Sequence, residues 1–230
     1  MPDTHIPVAL TPLHHWHQTH GARFADRDGW QVVAAYSSAE PEAAAARAGL
    51  GLADVSASAK VSLRGSGVTA LVSSLAPTSA ALRPRGVAPL PGESALACRL
   101  TDEHLLLLAT APAATALRER LAGLCEGRAV VVADVTSAYA GFELVGPRLD
   151  DLLCRLTHLD VRPAVLPPGS CAETTFAGVE ALLVRPPGRS LPALRVYVAW
   201  DLGQYVWERM IEAGHVGPII AIGQEALQSL

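Results

Sequence analysis

The chain has few aromatic residues, no excess of positive charge and no long hydrophobic run. The 18 Lys and Arg residues are outnumbered by 22 Asp and Glu, and the formal net charge is -4. Because no basic surplus is available to neutralise phosphates, we expect no nucleic-acid partner. The longest apolar run begins at Leu105 and is broken by Pro112, which is too short to cross a bilayer. With no signal-peptide pattern at the N-terminus, we expect a soluble cytoplasmic protein with no membrane partner.

Cysteine pairs of the kind that bind zinc or exchange disulfides are also missing. No two of the four cysteines are separated by only two residues: Cys98, Cys125, Cys154 and Cys171. We therefore expect free thiols in a reducing compartment. The chain has no P-loop and no nucleophile-elbow motif, and residues 65–67 do not continue into a dinucleotide-binding pattern.

The 230 residues, of which 50% are hydrophobic, are enough for one or two domains with a sizeable core. Alternating or apolar segments predict strands at 60–64, 105–109, 129–134, 141–145, near 174, and at 181–184 and 194–199. Pro, Gly and capping signals predict helices at 12–21, 41–48, 65–75, 112–121, 146–156 and 201–213. Thr11 and Asp201 are the expected N-caps of the first and last of these helices. The Pro-rich stretches 77–92 and 163–169 are predicted to be loops.

Part of this pattern recurs along the chain. Residues 63–75 and 144–156 share a strand end, a glycine turn and an apolar helix, and the strand and helix at 105–123 resemble those at 196–214. The two repeats therefore cover roughly 59–123 and 140–214. Each is expected to consist of a strand, a glycine turn, a helix, two or more further strands and a second helix. Strands outnumber helices and pair locally, which favours an α+β fold made by duplication of split βαβ-like units.

Three blocks of sequence resemble a known superfamily. Residues 11–24 (TPLHHWHQTHGARF), followed by Gly29-Trp30, Tyr36 and 48–56 (AGLGLADVS), resemble the opening of the glycine-cleavage T-protein, or aminomethyltransferase, family. Residues 134–141 (DVTSAYAG) with 146–148 (GPR) are similar to the folate domains fused to dimethylglycine and sarcosine dehydrogenases. The third block is similar to the gamma subunit of heterotetrameric sarcosine oxidase and comprises 159–161 (LDV), 166–174 (LPPGSCAET), 196–198 (VYV) and 205–207 (YVW).

The resemblance implies one folate-binding domain over residues 1–230, of the α+β class and built from duplicated ferredoxin-like units. Full-length members of the family continue into a C-terminal barrel. Residues 224–230 (QEALQSL) resemble the helix just before that barrel. We therefore expect the barrel to be lost or supplied by another chain.

The family's catalytic carboxylate is the first position in doubt. The T-protein resemblance places an aspartate in a GG-x-x-DD stretch, where a carboxylate can stabilise a cationic one-carbon unit or accept a proton. Here the stretch is shortened to residues 91–95 (PGESA), and Glu93 is its only carboxylate. Glu93 is therefore one candidate catalytic residue, with a solvated loop glutamate as the alternative. Asp54 is the other, although it could simply cap a turn.

The family's folate-binding motif is replaced as well. The resembling proteins carry YTGEDGYE, whose acidic side chain makes two parallel hydrogen bonds to the pterin. Residues 188–195 (GRSLPALR) occupy this length, with Leu191 and Arg195 at the acidic positions. Leu191 cannot make these two hydrogen bonds. The guanidinium of Arg195 would present hydrogen-bond donors to the donor groups of the pterin. Tetrahydrofolate is thus the implied cofactor, but these residues argue against ordinary folate binding.

The remaining candidate ligand-binding residues are aromatic: Trp30, Tyr36 and Tyr139. Each could instead be a core or wall aromatic with a satisfied polar tip. The spacing of His14, His17 and His20 would place pairs of imidazoles on one helix face, but a metal needs a third ligand, so we expect no metal.

Three functions remain open. The chain could be an accessory or non-catalytic subunit, docked on a larger enzyme subunit that carries flavin or folate, or forming a homodimer. It could be a tetrahydrofolate-dependent one-carbon transferase. It could also be a folate-independent enzyme that uses this fold on another small-molecule ligand, in which case Arg195 would meet an anionic group or form a surface ion pair.

Overall fold

The computed structural model describes residues 8–75, 82–91, 94–109, 113–214, 217 and 219–230. Its strands are β1 (Ala9–Leu10), β2 (Arg23–Arg27), β3 (Trp30–Ala35), β4 (Leu50–Asp54), β5 (Ala59–Arg64), β6 (Val87–Pro89), β7 (Ala95–Thr101), β8 (His104–Ala109), β9 (Val131–Asp134), β10 (Tyr139–Val145), β11 (Ser170–Phe176), β12 (Val179–Arg185), β13 (Ala193–Ala199) and β14 (Ile219–Ala221). Its helices are α1 (His14–Thr19), α2 (Ala39–Ala48), α3 (Val68–Leu75), α4 (Ala113–Cys125), α5 (Leu149–Leu153), α6 (Gly203–Ala213) and α7 (Gln224–Leu227). None of the helices in these ranges is long and apolar enough to cross a membrane.

Two large sheets organise the chain. The N-terminal sheet has the strand order β6-β7-β8-β5-β9, and the C-terminal sheet has the order β11-β12-β13-β10-β4-β14. A small third sheet has the order β1-β3-β2. Neighbouring strands are antiparallel except in the β14–β4 and β1–β3 pairs. This local antiparallel pairing is the α+β arrangement expected from the sequence.

The two large sheets follow the same order of elements. One is built from β5, α3, β6, β7, β8 and α4, and the other from β10, α5, β11, β12, β13 and α6. In both, the first strand of the unit pairs with the last, and the remaining two lie beyond it. The limits of the repeat, and its origin by duplication, stay predictions.

Layers follow from the side-chain alternation of the strands. The outer face of the N-terminal sheet packs apolar residues such as Leu63 and Leu105 against α3 and α4. The outer face of the C-terminal sheet packs Phe142 and Val196 against α5 and α6. The two inner faces meet in a smaller apolar cluster, which we call the inter-sheet cluster: Val87, Cys98, Leu106, Leu108, Cys171, Leu182, Val184 and Tyr197. The chain is therefore layered helix, sheet, sheet, helix.

Most elements predicted from the sequence are confirmed, with shifts at their ends. The first helix begins at His14, and neither Thr11 nor Asp201 makes a side-chain capping bond. Residues 200–202 instead form a turn of 3-10 helix ahead of α6. The loop predicted at 77–92 contains β6. Strands β2, β3, β4 and β7 were not predicted, because their apolar residues do not alternate cleanly.

Glycine is required at the same place in both repeats. Gly65 follows β5 with φ +136°, and Gly146 follows β10 with φ +144°, a backbone conformation that favours glycine. A Cβ on Gly146 would also lie 2.6 Å from the carbonyl oxygen of Ala46, and one on Gly65 would meet the backbone of Ala129. The two glycines let each following helix fold back close to a neighbouring backbone.

We expect Gly146→Ala to lower the free energy of unfolding by roughly 2–4 kcal/mol, because the new methyl group adds a clash with fixed backbone to the conformational strain. Gly123→Ala is the matched control, since Gly123 lies in α4 with no heavy atom within 4 Å of a new Cβ. It should stabilise the chain by up to about 1 kcal/mol. Urea denaturation measures both, and equal effects would refute the steric account.

Candidate functional site

A cavity of about 980 Å³ lies between the inner faces of the two large sheets. The inter-sheet cluster closes one side of this space. On the other side the inner faces carry polar and charged residues that do not close against each other. The cavity is thus of the size usual for small-molecule sites.

The wall formed by the N-terminal sheet is basic. Lys60, Ser62 and Arg64 alternate along β5 and line the cavity, while the residues between them enter the core behind the sheet. His104 lies beside them on β8, with its Nε2 3.1 Å from the Ser62 hydroxyl. Burial lowers the pKa of His104, the nearby Arg64 lowers it further, and Glu173 opposes the change. These effects favour the neutral imidazole, which shares a hydrogen bond with the Ser62 hydroxyl.

Lys60 is the only lysine in the chain, and its side chain is fully buried. Its Nζ donates to the carbonyl oxygens of Ser56 at 2.8 Å, Ser58 at 3.0 Å and Thr136 at 3.1 Å. Burial lowers the pKa of Lys60 to about 8, against the opposing effect of Asp54 and Asp134. The ammonium is thus still mostly charged at neutral pH, where it ties the turn after β4 to the segment before β10.

The wall formed by the C-terminal sheet is acidic and hydroxylated. Glu173 and Thr175 on β11, Glu180 on β12 and Tyr197 on β13 line it. The Tyr197 ring lies on Gly141, where a Cβ would come within 2.8 Å of the ring's Cε1. Burial raises the pKa of Tyr197 well above its usual value, so this hydroxyl stays protonated.

Two of the predicted site residues, Tyr36 and Asp54, form a buried chain of hydrogen bonds with His17. His17 Nε2 lies 3.0 Å from Asp54 Oδ2, and the Tyr36 hydroxyl lies 2.6 Å from His17 Nδ1. The backbone N–H of Ser56 donates to the other Asp54 oxygen at 2.8 Å. Burial by itself would raise the pKa of Asp54, but His17 and Ser56 together lower it below its usual value. None of the three chain members is among the residues that line the cavity. They fasten α1 and β3 to β4.

The positions at which the T-protein resemblance places the folate motif make internal contacts. Arg195 lies opposite Glu143 in the β10–β13 register, and its Nε donates to Glu143 at 2.8 Å. Arg189 also donates to Glu143, whose carboxylate is fully buried. Burial alone would lower the pKa of Arg195, but Glu143 raises it above its usual range. Leu191 packs against an apolar cluster that includes residues of α2 and α7.

The other predicted residues are spread over the structure. Tyr139 lines the cavity and is 36% exposed. Trp30 lies outside the lining, half-buried on β3, with its ring centroid 5.9 Å from that of Trp200. Glu93 lies outside the described residues. Of the site predicted from the sequence, the described part therefore brings only Tyr139 to the cavity, and it pairs Tyr36 with Asp54 elsewhere.

The histidines near the N-terminus have separate environments. His17 belongs to the buried chain. His20 Nδ1 donates to the carbonyl oxygen of Trp16 at 2.7 Å, and the His20 ring stacks on the Trp16 ring. His14 contacts the Phe24 ring. Among the described residues there is no group of three or more His, Cys, Asp or Glu side chains that could hold a metal ion. All four cysteines are free.

Sequence reasoning missed Lys60, His104, Glu143 and Glu173. One signal was present: the alternation of polar and apolar residues from Lys60 to Arg64 predicts that Lys60, Ser62 and Arg64 share a face. The partner strands that complete the site cannot be identified from that alternation.

A family model for the GCVT N-terminal domain matches residues 13–230. A curated relative, the aminomethyltransferase of Geobacillus kaustophilus, is 29% identical over 230 residues, which are 96% of this chain and 62% of the relative. The chain therefore spans about three fifths of the length of that relative.

Two solved structures share the fold. The glycine cleavage system aminomethyltransferase T from Bartonella henselae superposes with a TM-score of 0.82 at 20% identity, over 97% of this chain and 62% of that one. A chain of heterotetrameric sarcosine oxidase from Corynebacterium sp. U-96 superposes with a TM-score of 0.64 at 18% identity, over 88% of this chain and 93% of that one. The expectation of a T-protein-like α+β fold is confirmed.

Asp54→Asn should reduce the acid sensitivity of the fold. The pKa of Asp54 is lower in the folded chain than in the unfolded chain, so the unfolded chain takes up the proton first. The Asp54 carboxylate therefore contributes to stability above about pH 4, and this contribution is lost as the pH falls through the pKa of Asp54 in the folded chain. We expect Asp54→Asn to cost about 2–4 kcal/mol at neutral pH and to flatten the pH dependence of stability below about pH 4.

Urea denaturation at a series of pH values measures this change. Asp26→Asn is the matched control, because Asp26 is exposed on β2. It should change stability by less than about 0.5 kcal/mol. An Asp54→Asn variant with the acid dependence of the native chain would show that this carboxylate is not the one that titrates.

Proposed function

The chain belongs to the family of GCVT N-terminal domains, and from this we propose that it is an accessory, non-catalytic subunit of a larger enzyme of one-carbon or amine metabolism. One observation carries the proposal: the two positions that the T-protein resemblance assigns to pterin-binding carboxylates are committed to internal contacts. Leu191 belongs to an apolar cluster, and Arg195 is bound to the buried Glu143.

These contacts oppose a folate-binding role energetically. Breaking a buried ion pair typically costs about 3–5 kcal/mol, because one charge is left without a partner in a poor solvent. Arg195 would have to leave Glu143 before it could meet a ligand. Even then its guanidinium would offer only donors to a pterin edge that also donates. The family's way of holding the pterin is therefore not supported at these positions.

The fold comparisons support an assembly with a partner. The sarcosine oxidase whose chain shares this fold is heterotetrameric, and this chain covers 93% of that chain. We infer that the present domain likewise acts beside a larger subunit, which would carry the redox or folate chemistry.

A tetrahydrofolate-dependent one-carbon transferase is the second candidate. The cavity of about 980 Å³ between the sheets favours it, because this volume accommodates a ligand larger than an amino acid. The aminomethyltransferase from Geobacillus kaustophilus, at 29% identity, favours it as well. In that case the ligand would be held by the Tyr139, Tyr197 and Glu173 side of the cavity in place of the replaced motif.

Calorimetric titration with 5-formyltetrahydrofolate distinguishes the two candidates. We expect no binding by the native chain in the micromolar range, which corresponds to about -8 kcal/mol. We expect none by Leu191→Glu either, because Arg195 remains bound to Glu143. The aminomethyltransferase of Geobacillus kaustophilus serves as the positive control. Micromolar binding by the native chain would overturn the accessory reading and favour the transferase.

Purification of the tagged chain from its native cells tests the partner directly. We expect a larger subunit to co-elute in fixed stoichiometry, with the visible absorbance of a bound flavin or with bound folate. A chain that elutes alone and transfers one-carbon groups to tetrahydrofolate would contradict the proposal.

A further inference from the structure

The two walls of the cavity carry charges of opposite sign. The cations that line it, Lys60 and Arg64, both belong to the N-terminal sheet, and the anions, Glu173 and Glu180, both belong to the C-terminal sheet. Among the described lining residues, no acidic side chain comes from the first wall and no basic one from the second. This separation follows the strands that border the cavity, with the cations on β5 and the anions on β11 and β12.

Strand register explains why the acids lie together. Glu173 and Thr175 project from the same face of β11, and Thr175 is paired directly with Glu180 on β12. The carboxylates of Glu173 and Glu180 thus lie on the same face of the sheet, in diagonal positions on neighbouring strands. On the opposite wall Arg64 is paired with His104 across β5 and β8. Arg64, Glu173 and Glu180 are exposed to solvent, so water screens them in the free chain, and a ligand group of opposite charge would be attracted to each wall.

The two walls do not neutralise each other. Among the described residues, Arg64, Glu173 and Glu180 take part in no ion pair within 4.0 Å. By contrast, Arg195 on β13 and Arg189 in the segment before that strand are both bound to Glu143. Lys60 has three carbonyl acceptors and no carboxylate within ion-pair distance. In the part of the chain that the structure describes, Glu143, Arg189 and Arg195 are therefore paired, whereas Arg64, Glu173 and Glu180 at the cavity are in no ion pair.

We propose that the cavity binds a zwitterionic small molecule, with an amine directed at Glu173 and Glu180 and a carboxylate directed at Arg64. Sheets packed face to face lie about 10 Å apart, so the two charged groups of the ligand are separated by several carbon atoms. A ligand with a single charge would be attracted by one wall and repelled by the other, whereas a zwitterion is attracted by both. The inference uses the cavity in which the second candidate function would hold its ligand, but it requires neither an accessory role nor folate. The proposed function and this inference can therefore fail independently.

Titration of the native chain with the α,ω-amino acids from 4-aminobutanoate to 8-aminooctanoate tests the proposal. The matched single-charge probes are the carboxylic acid and the primary amine of the same chain length. We expect at least one member of the series to bind at least about tenfold more tightly than both of its analogues, a factor worth about 1.4 kcal/mol. Failure of the whole series to bind, or equal affinities for the three kinds of probe, would overturn the proposal.

Charge-removing variants then assign the ends of the ligand. Glu173→Gln should weaken binding of the amino acid several-fold and leave the carboxylic acid probe unaffected or improved. Arg64→Gln should weaken the amino acid equally and leave the amine probe unaffected or improved. Glu40→Gln is the control, since Glu40 is exposed on α2, a helix that contributes no residue to the cavity lining. The proposal is overturned if both cavity variants change all three kinds of probe alike.

Discussion

The contact between the inner faces of the two large sheets determines where the cavity lies. Leu106, Leu182 and Tyr197 belong to the inter-sheet cluster that brings the faces together. The neighbouring strands β5 and β11 place Arg64 and Glu173 at the cavity between those faces. Closing the sheets over these side chains would remove water from unpaired charges, which costs more than the apolar contact returns. The apolar cluster therefore sets the spacing, and the charges keep the cavity open.

Elsewhere in the interior, buried charges have protein partners. Glu42 accepts backbone N–H groups from Tyr36, Ser37 and Gly223, which joins α2 to the end of β3 and the start of α7. Lys60 is surrounded by carbonyl oxygens, and Asp54 is joined to His17. Burial of a charge is tolerated only with such partners, so these groups are parts of the scaffold. The contrast with the unpaired charges at the cavity is what separates scaffold from binding surface.

The sequence predicted the parts of the fold that depend on local pattern. Alternation between Lys60 and Arg64 predicted β5, and the apolar run from Leu105 predicted β8. It did not predict contacts that depend on register or on distant segments. Glu143 and Arg195 are 52 positions apart, and His17 and Asp54 are 37 apart. Only the completed sheet brings such pairs together, so Arg195 could be suspected from the sequence but its partner could not.

The pairing of Glu143 with Arg195 also limits how the site can change. Because the two residues face each other on neighbouring strands, Arg195→Glu alone would place two carboxylates directly opposite each other in the interior. Like charges directly opposite each other on neighbouring strands are destabilising. Glu143 would lose Arg195 and keep only Arg189 as a partner. A carboxylate suited to a pterin could return at residue 195 only together with a change at residue 143. The two positions therefore form one energetic unit, in which Glu143 stabilises an arginine at residue 195.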